Sequence, residues 1–184
     1  AIARMAEVII RMQRNQRENF AKHADSMNGE TVYHTGYIKG GTDFASYPSY
    51  CELGIEIGTQ VGETMSDRIR EIRNIFDEVK GIYPDFDADI EPIVVRSPFQ
   101  THGTEILYEI LAEEVEGHTS LKAKACGSNS WGDAQIFQDA GFATLGIGAP
   151  GGNMHAPDEW VSISGLEALT NIVIHTAIRY CETN

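Results

Sequence analysis

The spacing of apolar residues changes twice in the first half of the chain, and this change constrains the fold more than any other feature. From Ile2 to about Phe20, apolar residues recur every three or four positions, which predicts an amphipathic helix. From Cys51 to Ile57 they alternate with polar residues, which predicts a strand with one buried face. A run rich in Thr, Val, Tyr and Ile predicts another strand at 31–39.

A second helix is predicted after Thr64–Asp67, whose side chains can cap it, and a further strand at Ile90–Val95. The order is then helix, strand, strand, helix, strand. With one more strand before residue 1, this order makes a split β-α-β unit, in which two helices cover one face of an antiparallel sheet. Pro98 lies at the predicted boundary of this module.

The second half alternates predicted helices with two short predicted strands, the second of which is apolar. This alternation is typical of a layered α/β domain, but two short strands are too few to close such a domain. We therefore expect a chain of the α/β class whose second module is one portion of an α/β domain. The predicted helices are Thr104–Val115, Gly132–Ala140 and a last one that Ser162 or Ser164 caps, and the predicted strands are Leu121–Ala125 and Phe142–Ile147.

Charge and cysteine content exclude several classes of partner. The chain carries 27 acidic and 14 basic residues, a net charge of −13, which repels nucleic acid and anionic lipid. We therefore expect no nucleic-acid or membrane partner. Cys51, Cys126 and Cys181 are widely spaced and form no C-x-x-C pair, which favours reduced thiols in the cytoplasm over a disulfide framework or a zinc knuckle.

A glycine-rich loop at 148–153 follows the apolar strand at 142–147, and His155 comes directly after it. Glycine lets backbone approach a ligand closely, and open α/β sheets bind ligands beyond the carboxyl ends of their strands. An imidazole there is a suitable zinc ligand. Taken alone, a histidine in a loop is more often an ordinary surface residue, so both interpretations stay open on the pattern itself.

The segment 148–161, Gly-x-Pro-Gly-Gly-x-x-His-x-x-x-Glu-x-Val, resembles the closing motif of the M20 peptidases and deacylases. That family includes carboxypeptidase G-like enzymes, acetylornithine deacetylase and succinyl-diaminopimelate desuccinylase. The resemblance implies that His155 binds one of two active-site metals, which are zinc or alternatively cobalt or manganese. It also implies that Gly152 and Asn153 contact the substrate.

A second element, Ser-Trp-Gly-Asp-Ala at 130–134, is similar to a Gly/Ser-Asp-Ala element of the same family. Asp133 matches its aspartate, which the resemblance places beside the active site and in contact with substrate. A structural alternative is stronger on the pattern alone, because an aspartate at a helix start is favoured by capping and by the helix dipole. Trp131 replaces a small residue of the family, which would change the shape of the pocket.

The first module resembles the family's lid domain, which pairs edge to edge in dimers. The segment from Gly40 to Pro48 is similar to the lid sequence Gly-Gly-x-x-x-Asn-x-x-Pro. Ala45 stands where the family has a substrate-binding asparagine, and Gly58 stands where an arginine often follows the second strand. The resemblance therefore implies a homodimer through the lid, while both usual polar anchors for the substrate are missing.

Together, these resemblances imply a lid or dimerisation domain at 1–97, without its first strand, and a C-terminal segment of a zinc-peptidase domain at 98–184. The implied parent protein is a di-zinc hydrolase of amide bonds in N-acyl amino acids or small peptides. The family's His-x-Asp, bridging Asp and Glu-Glu elements precede the lid, and the chain starts inside a helical pattern without a cap. We expect something N-terminal to have been removed and this fragment to be inactive; the alternatives are a non-catalytic dimerisation module and a remnant homologue.

The Glu-Glu pair at 113–114 and the histidines outside the motif are expected to have no role in catalysis. Glu113 and Glu114 resemble the family's catalytic Glu-Glu pair in sequence. They lie, however, in a Glu-rich helical stretch whose polar face is expected to be solvated. His118 and His175, like the other histidines outside the motif, are expected to be structural or surface residues.

Overall fold

The computed structural model describes residues 1–128 and 130–183, which group into two units. The first unit contains residues 1–98 together with a short segment around Gly127, and the second contains residues 99–126 and those from 132 onward. The assignment of 1–97 as a lid domain and of 98–184 as a catalytic segment stays a prediction.

The first unit consists of two long helices and a β-hairpin. Helix α1 spans Ile2–Glu18, and a single 3-10 turn follows it at Phe20–His23. Strands β1 (Val32–Gly40) and β2 (Cys51–Gly58) pair antiparallel, and helix α2 spans Met65–Ile82. The predicted order of helix, strand, strand and helix is confirmed.

One core holds the elements of the first unit together. Leu53, Ile55 and Ile57, which share a side of β2, pack against it, as the alternating pattern predicts. Salt bridges from Arg11 and Arg14 to Glu78 join α1 to α2 at the surface. The buried members of the core are Val8, Met12, Phe20, Tyr33, Ile75, Val79 and Phe86.

The second unit is mainly helical. Helix α3 (Glu105–Thr119) packs against helix α5 (Ile163–Thr183), and Ile110 and Ile172 are buried. The short helix α4 (Ala134–Asp139) comes between them in the sequence. Strands β3 (Gly151–Gly152) and β4 (Trp160–Val161) form a small antiparallel hairpin.

The cap of α5 is Ser162, one of the two serines that the sequence offers for it. Its Oγ accepts a hydrogen bond from the backbone N–H of Gly165 at 3.1 Å. Its backbone carbonyl accepts the first bond of the helix, from Leu166 N at 2.9 Å. The hydroxyl thus satisfies one of the N–H groups that have no partner inside the first turn.

Three predicted strands are wrong: 90–95, 121–125 and 142–147 form no ladder within the described part of the chain. A strand requires a hydrogen-bonded neighbour, and a strand-like pattern within one segment does not supply one. Large apolar side chains in these segments are exposed to solvent: Ile93 is 87% exposed, Leu121 67% and Phe142 62%. The α/β class is nevertheless correct, with two antiparallel pairs, β1–β2 and β3–β4, instead of larger sheets.

Within residues 1–128 and 130–183, no helix combines the length and the apolar character that crossing a membrane requires.

Candidate functional site

The glycine-rich motif forms the β3–β4 hairpin. Gly151 pairs with Val161 and Gly152 with Trp160, and Ser162 N donates to Pro150 O at 2.8 Å. A Cβ at Gly151 would lie 2.6 Å from the Trp160 carbonyl oxygen, and one at Gly152 would lie 2.7 Å from the indole Nε1. The hairpin thus needs both glycines for its own packing. Contact of Gly152 with a substrate stays a prediction.

The hairpin presents His155 on a tight turn with unusual backbone geometry. The φ angles of Asn153 and His155 are +56° and +65°, in the left-handed region that costs most residues energy. The turn is closed by a hydrogen bond from Ala156 N to Asn153 O at 2.9 Å. The amide of Asn153 donates to Asp158 Oδ2 at 2.9 Å, which ties the two sides of the loop together.

The side chains of this loop could supply some, but not all, of the ligands of a metal ion. His155 is exposed, so its imidazole can reach a bound ion. Asp158, the nearest carboxylate in sequence, already accepts the Asn153 amide. Zinc usually takes four ligands, so an ion bound at His155 would need its remaining ligands from other segments.

Asp133 occupies the N-cap position of α4, but its side chain makes no capping hydrogen bond. Its backbone carbonyl accepts from Ile136 N at 2.9 Å, while the carboxylate is exposed. Side-chain capping therefore does not account for this aspartate, and contact with a substrate stays a prediction. Trp131 belongs to the first unit, where the Arg96 guanidinium carbon lies 5.8 Å from its ring centroid.

Of the two lid positions that lack polar side chains, one lies in the connection between β1 and β2 and the other at the end of β2. Ala45 is in the exposed connection between β1 and β2, where its N–H donates to Asp43 Oδ1 at 2.8 Å. Gly58 ends β2 and pairs with Val32. Neither position can offer a side-chain hydrogen bond to a ligand.

One His-x-Asp triplet does occur in the chain, at His23-Ala24-Asp25, although the family's triplet was expected before residue 1. It follows α1 in the first unit, and its carboxylate serves a turn. Asp25 Oδ1 accepts from Asn28 N at 2.9 Å and from Met27 N at 2.8 Å, and these two backbone bonds lower the pKa of the carboxyl. The triplet therefore has a local structural role.

Sequence reasoning missed a cluster of Glu114, His118 and His175 in the second unit. Glu114 is not a solvated side chain: Arg179 Nη1 donates to its Oε1 at 2.7 Å, and this bond lowers the pKa of the carboxyl. The spacing Glu114-x-x-x-His118 could have revealed two members of this cluster from the sequence, because residues four apart lie on the same face of a helix. Only the packing of α3 on α5 brings His175 to the same place.

An α/β chain with an imidazole on a glycine hairpin is compatible with a metal-dependent hydrolase, and comparison with known proteins gives the particular family. The profile of peptidase family M20/M25/M40 matches residues 50–179, which is 130 of the 184 residues. The chain belongs to this peptidase family.

A solved structure agrees in fold. The crystal structure of the aminopeptidase PepT from Bacillus cereus is similar with a TM-score of 0.68 and 17% sequence identity. The match covers 95% of this chain and 44% of that chain, so this sequence spans less than half the length of the solved relative. No match was found among the curated proteins that were compared by sequence.

Proposed function

We propose that this chain is the lid domain and the C-terminal catalytic segment of a di-zinc hydrolase that cleaves amide bonds in small peptides or N-acyl amino acids. The observation that carries the proposal is His155, held in left-handed backbone at the tip of the β3–β4 hairpin, inside the segment that matches the peptidase family. Unfavourable backbone geometry of this kind occurs preferentially at functional sites.

His155 would donate one imidazole nitrogen to a metal, with zinc, cobalt or manganese as the candidates. A metal pair, when bound, supplies a Lewis acid and a hydroxide nucleophile for amide hydrolysis. The hairpin's contribution is to fix the imidazole: Gly151 and Gly152 allow the close approach of Trp160, and the Asn153–Asp158 hydrogen bond holds the turn.

Three residues, Asp133, Gly152 and Asn153, are proposed to contact the substrate. The carboxylate of Asp133 has no capping partner in α4 and can accept a hydrogen bond from a substrate amine or amide. Gly152 and Asn153 would offer backbone groups from the same loop as His155. Because Ala45 and Gly58 supply no polar anchor, the substrate is expected to be held by other groups than those usual in the lid of this family.

The rest of the catalytic centre is proposed to lie outside these 184 residues. The segments 90–95, 121–125 and 142–147 have strand-like patterns but form no ladder within the described residues, which supports partner strands supplied by a longer protein. Such a protein would also provide the general base and the remaining ligands. The isolated chain is therefore expected to hydrolyse nothing.

The proposal also includes a homodimer that forms through the first unit and a cytoplasmic location. The β1–β2 pair is a two-stranded sheet, and Tyr37 and Ile38 of β1 are exposed, which supports edge-to-edge pairing with a second copy. All three cysteines are free, in keeping with a reducing compartment.

The test uses the protein that contains this sequence, expressed at its natural length. It is assayed against dipeptides and N-acyl amino acids after metal removal and after addition of zinc, cobalt or manganese. His155→Ala is expected to lower kcat/KM by about 10²–10⁴-fold, because a metal contributes several kcal/mol to transition-state stabilisation. His102→Ala is the matched control, since His102 lies outside the hairpin. Wild-type metal content and activity in His155→Ala would contradict the proposal.

A further inference from the structure

Three metal-ligating side chains meet on one side of the α3–α5 pair. Glu114 and His118 lie one turn apart on α3, the i, i+4 spacing by which the two histidines of an H-E-x-x-H helix bind one zinc ion. His175 approaches them from α5. Two helices that are distant in sequence thus deliver a His₂Glu set, a combination that zinc enzymes use.

The distances among the three ligand atoms match a metal's coordination sphere. His118 Nε2 lies 3.2 Å from His175 Nδ1 and 3.5 Å from Glu114 Oε2, and His175 Nδ1 lies 3.4 Å from the same oxygen. Ligands about 2.0–2.2 Å from a tetrahedral zinc ion are about 3.3–3.6 Å apart. The three atoms therefore already form one face of such a tetrahedron.

The near-equal distances favour a shared ion over a chain of hydrogen bonds. A neutral imidazole carries one N–H, so a chain through three atoms would give two short contacts and one long contact. Here all three separations lie between 3.2 and 3.5 Å, and the two rings are 5.0 Å apart and tilted by 59°. Three mutually close ligand atoms are what a shared ion requires.

Arg179 orients the carboxylate without occupying the oxygen that faces the histidines. Its Nη1 donates to Glu114 Oε1, while Oε2 faces both imidazoles. Hydrogen bonds of this kind commonly orient metal ligands from outside the coordination sphere. The Glu114, His118 and His175 side chains are 13%, 26% and 51% exposed, so an ion and a water as fourth ligand can reach the cluster from solvent.

We propose that Glu114, His118 and His175 form a second divalent-metal site, separate from the one that includes His155, which takes an ion of the imidazole-preferring class, zinc first, and links α3 to α5. Imidazole nitrogens select zinc, copper and nickel over magnesium and calcium. The site does not depend on the proposed hydrolase, because all three ligands belong to the second unit of this chain.

The test compares two neighbouring acids in the protein at its natural length. Both Glu113 and Glu114 pair with Arg179, but only Glu114 faces the imidazoles. Glu114→Gln and His175→Ala are expected to bind one zinc ion fewer than wild type, or to bind it at least about tenfold more weakly, and to lose the zinc-dependent rise in Tm. Glu113→Gln is expected to keep both properties.

The readouts separate this site from the proposed active site. His155→Ala is expected to lose hydrolysis and to keep the α3–α5 ion, whereas Glu114→Gln is expected to lose that ion and to keep hydrolysis. Addition of zinc to the wild-type protein is also expected to shift the imidazole NMR signals of His118 and His175, a measurement that needs no variant. Equal zinc content and equal Tm response in Glu114→Gln and Glu113→Gln, or unshifted imidazole signals, would overturn the proposal.

Discussion

At the scale of single residues, the candidate active-site loop holds the proposed metal ligand, His155, in a backbone conformation that is unfavourable for a residue with a side chain. His155 has φ +65°, whereas its neighbour Met154 is outside the positive-φ region. Left-handed backbone costs non-glycine residues roughly 1–2 kcal/mol, and glycine avoids this cost. The loop thus keeps a histidine where glycine would fit the backbone better, as expected for a residue selected for function.

His155→Gly is therefore expected to leave the free energy of unfolding unchanged or to raise it by up to about 1 kcal/mol, while abolishing metal binding at the hairpin. Met154→Gly is the control and should lower the free energy of unfolding by roughly 0.5–1 kcal/mol, because glycine gains nothing there and loses more entropy on folding. Urea denaturation of both variants measures the difference. Equal destabilisation by the two changes would show that the turn imposes no strain.

Gly152 gives a second prediction at this scale. Gly152→Ala is expected to destabilise the second unit by about 1–3 kcal/mol, because its Cβ would overlap the Trp160 indole. Gly148→Ala is the matched control, since a Cβ there meets no atom within 4 Å. A double-mutant cycle with Trp160→Ala should recover most of the loss, and additive effects would contradict the packing argument.

At the scale of elements, local signals determine where the helices begin. Thr64 is the N-cap of α2: its Oγ1 accepts from Asp67 N at 3.2 Å and donates to Asp67 Oδ2 at 2.7 Å. The Thr64 hydroxyl, followed by Arg70, lowers the pKa of the Asp67 carboxyl. Both partners lie within one turn of the helix start, so the sequence could reveal the cap.

Thr64→Ala is expected to lower the free energy of unfolding by about 1 kcal/mol at neutral pH. A carboxyl whose pKa is lowered on folding stabilises the protein above its unfolded pKa of about 3.9 and loses that effect as the pH falls through the folded value. The difference between Thr64→Ala and wild type should therefore shrink in acid. Chemical denaturation across this pH range measures it, with Ser66→Ala as the control; a pH-independent difference would contradict the mechanism.

At the scale of the whole molecule, three segments with strand-like patterns, 90–95, 121–125 and 142–147, form no ladder within the described residues. They carry exposed side chains such as Val94, Leu121 and Phe142, at 68%, 67% and 62%. The alignment with PepT covers 44% of that chain, so a relative has many further residues that could pair with them. Parallel strands of α/β domains are typically buried on both faces, and their neighbours are distant in sequence.

Hydrogen exchange provides the whole-molecule test. Backbone amides of 121–125 and 142–147 are expected to exchange quickly in the 184-residue chain alone and to be protected in the protein of natural length. The β1–β2 pair is the internal reference and should be protected in both. Equal exchange of 142–147 in the two proteins would show that no partner strand is supplied.

The sequence by itself determined the elements whose signals are local. Helical spacing predicted α1, alternation predicted the buried side of β2, and hydroxyl caps predicted the starts of α2 and α5, because each pattern involves residues within a few positions of one another. The motif around His155 gave the family in the same way, through residues contiguous in the chain.

Tertiary structure alone decided the features that need distant partners. The segments 90–95, 121–125 and 142–147 have strand-like patterns but form no ladder in the part of the chain that the structure describes, since a ladder is a property of two segments. The meeting of His175 with Glu114 and His118 follows from the packing of α3 on α5; His118 and His175 are 57 positions apart in the sequence. Spacing along the chain cannot report such proximity, because the fold and not the local sequence brings these atoms together.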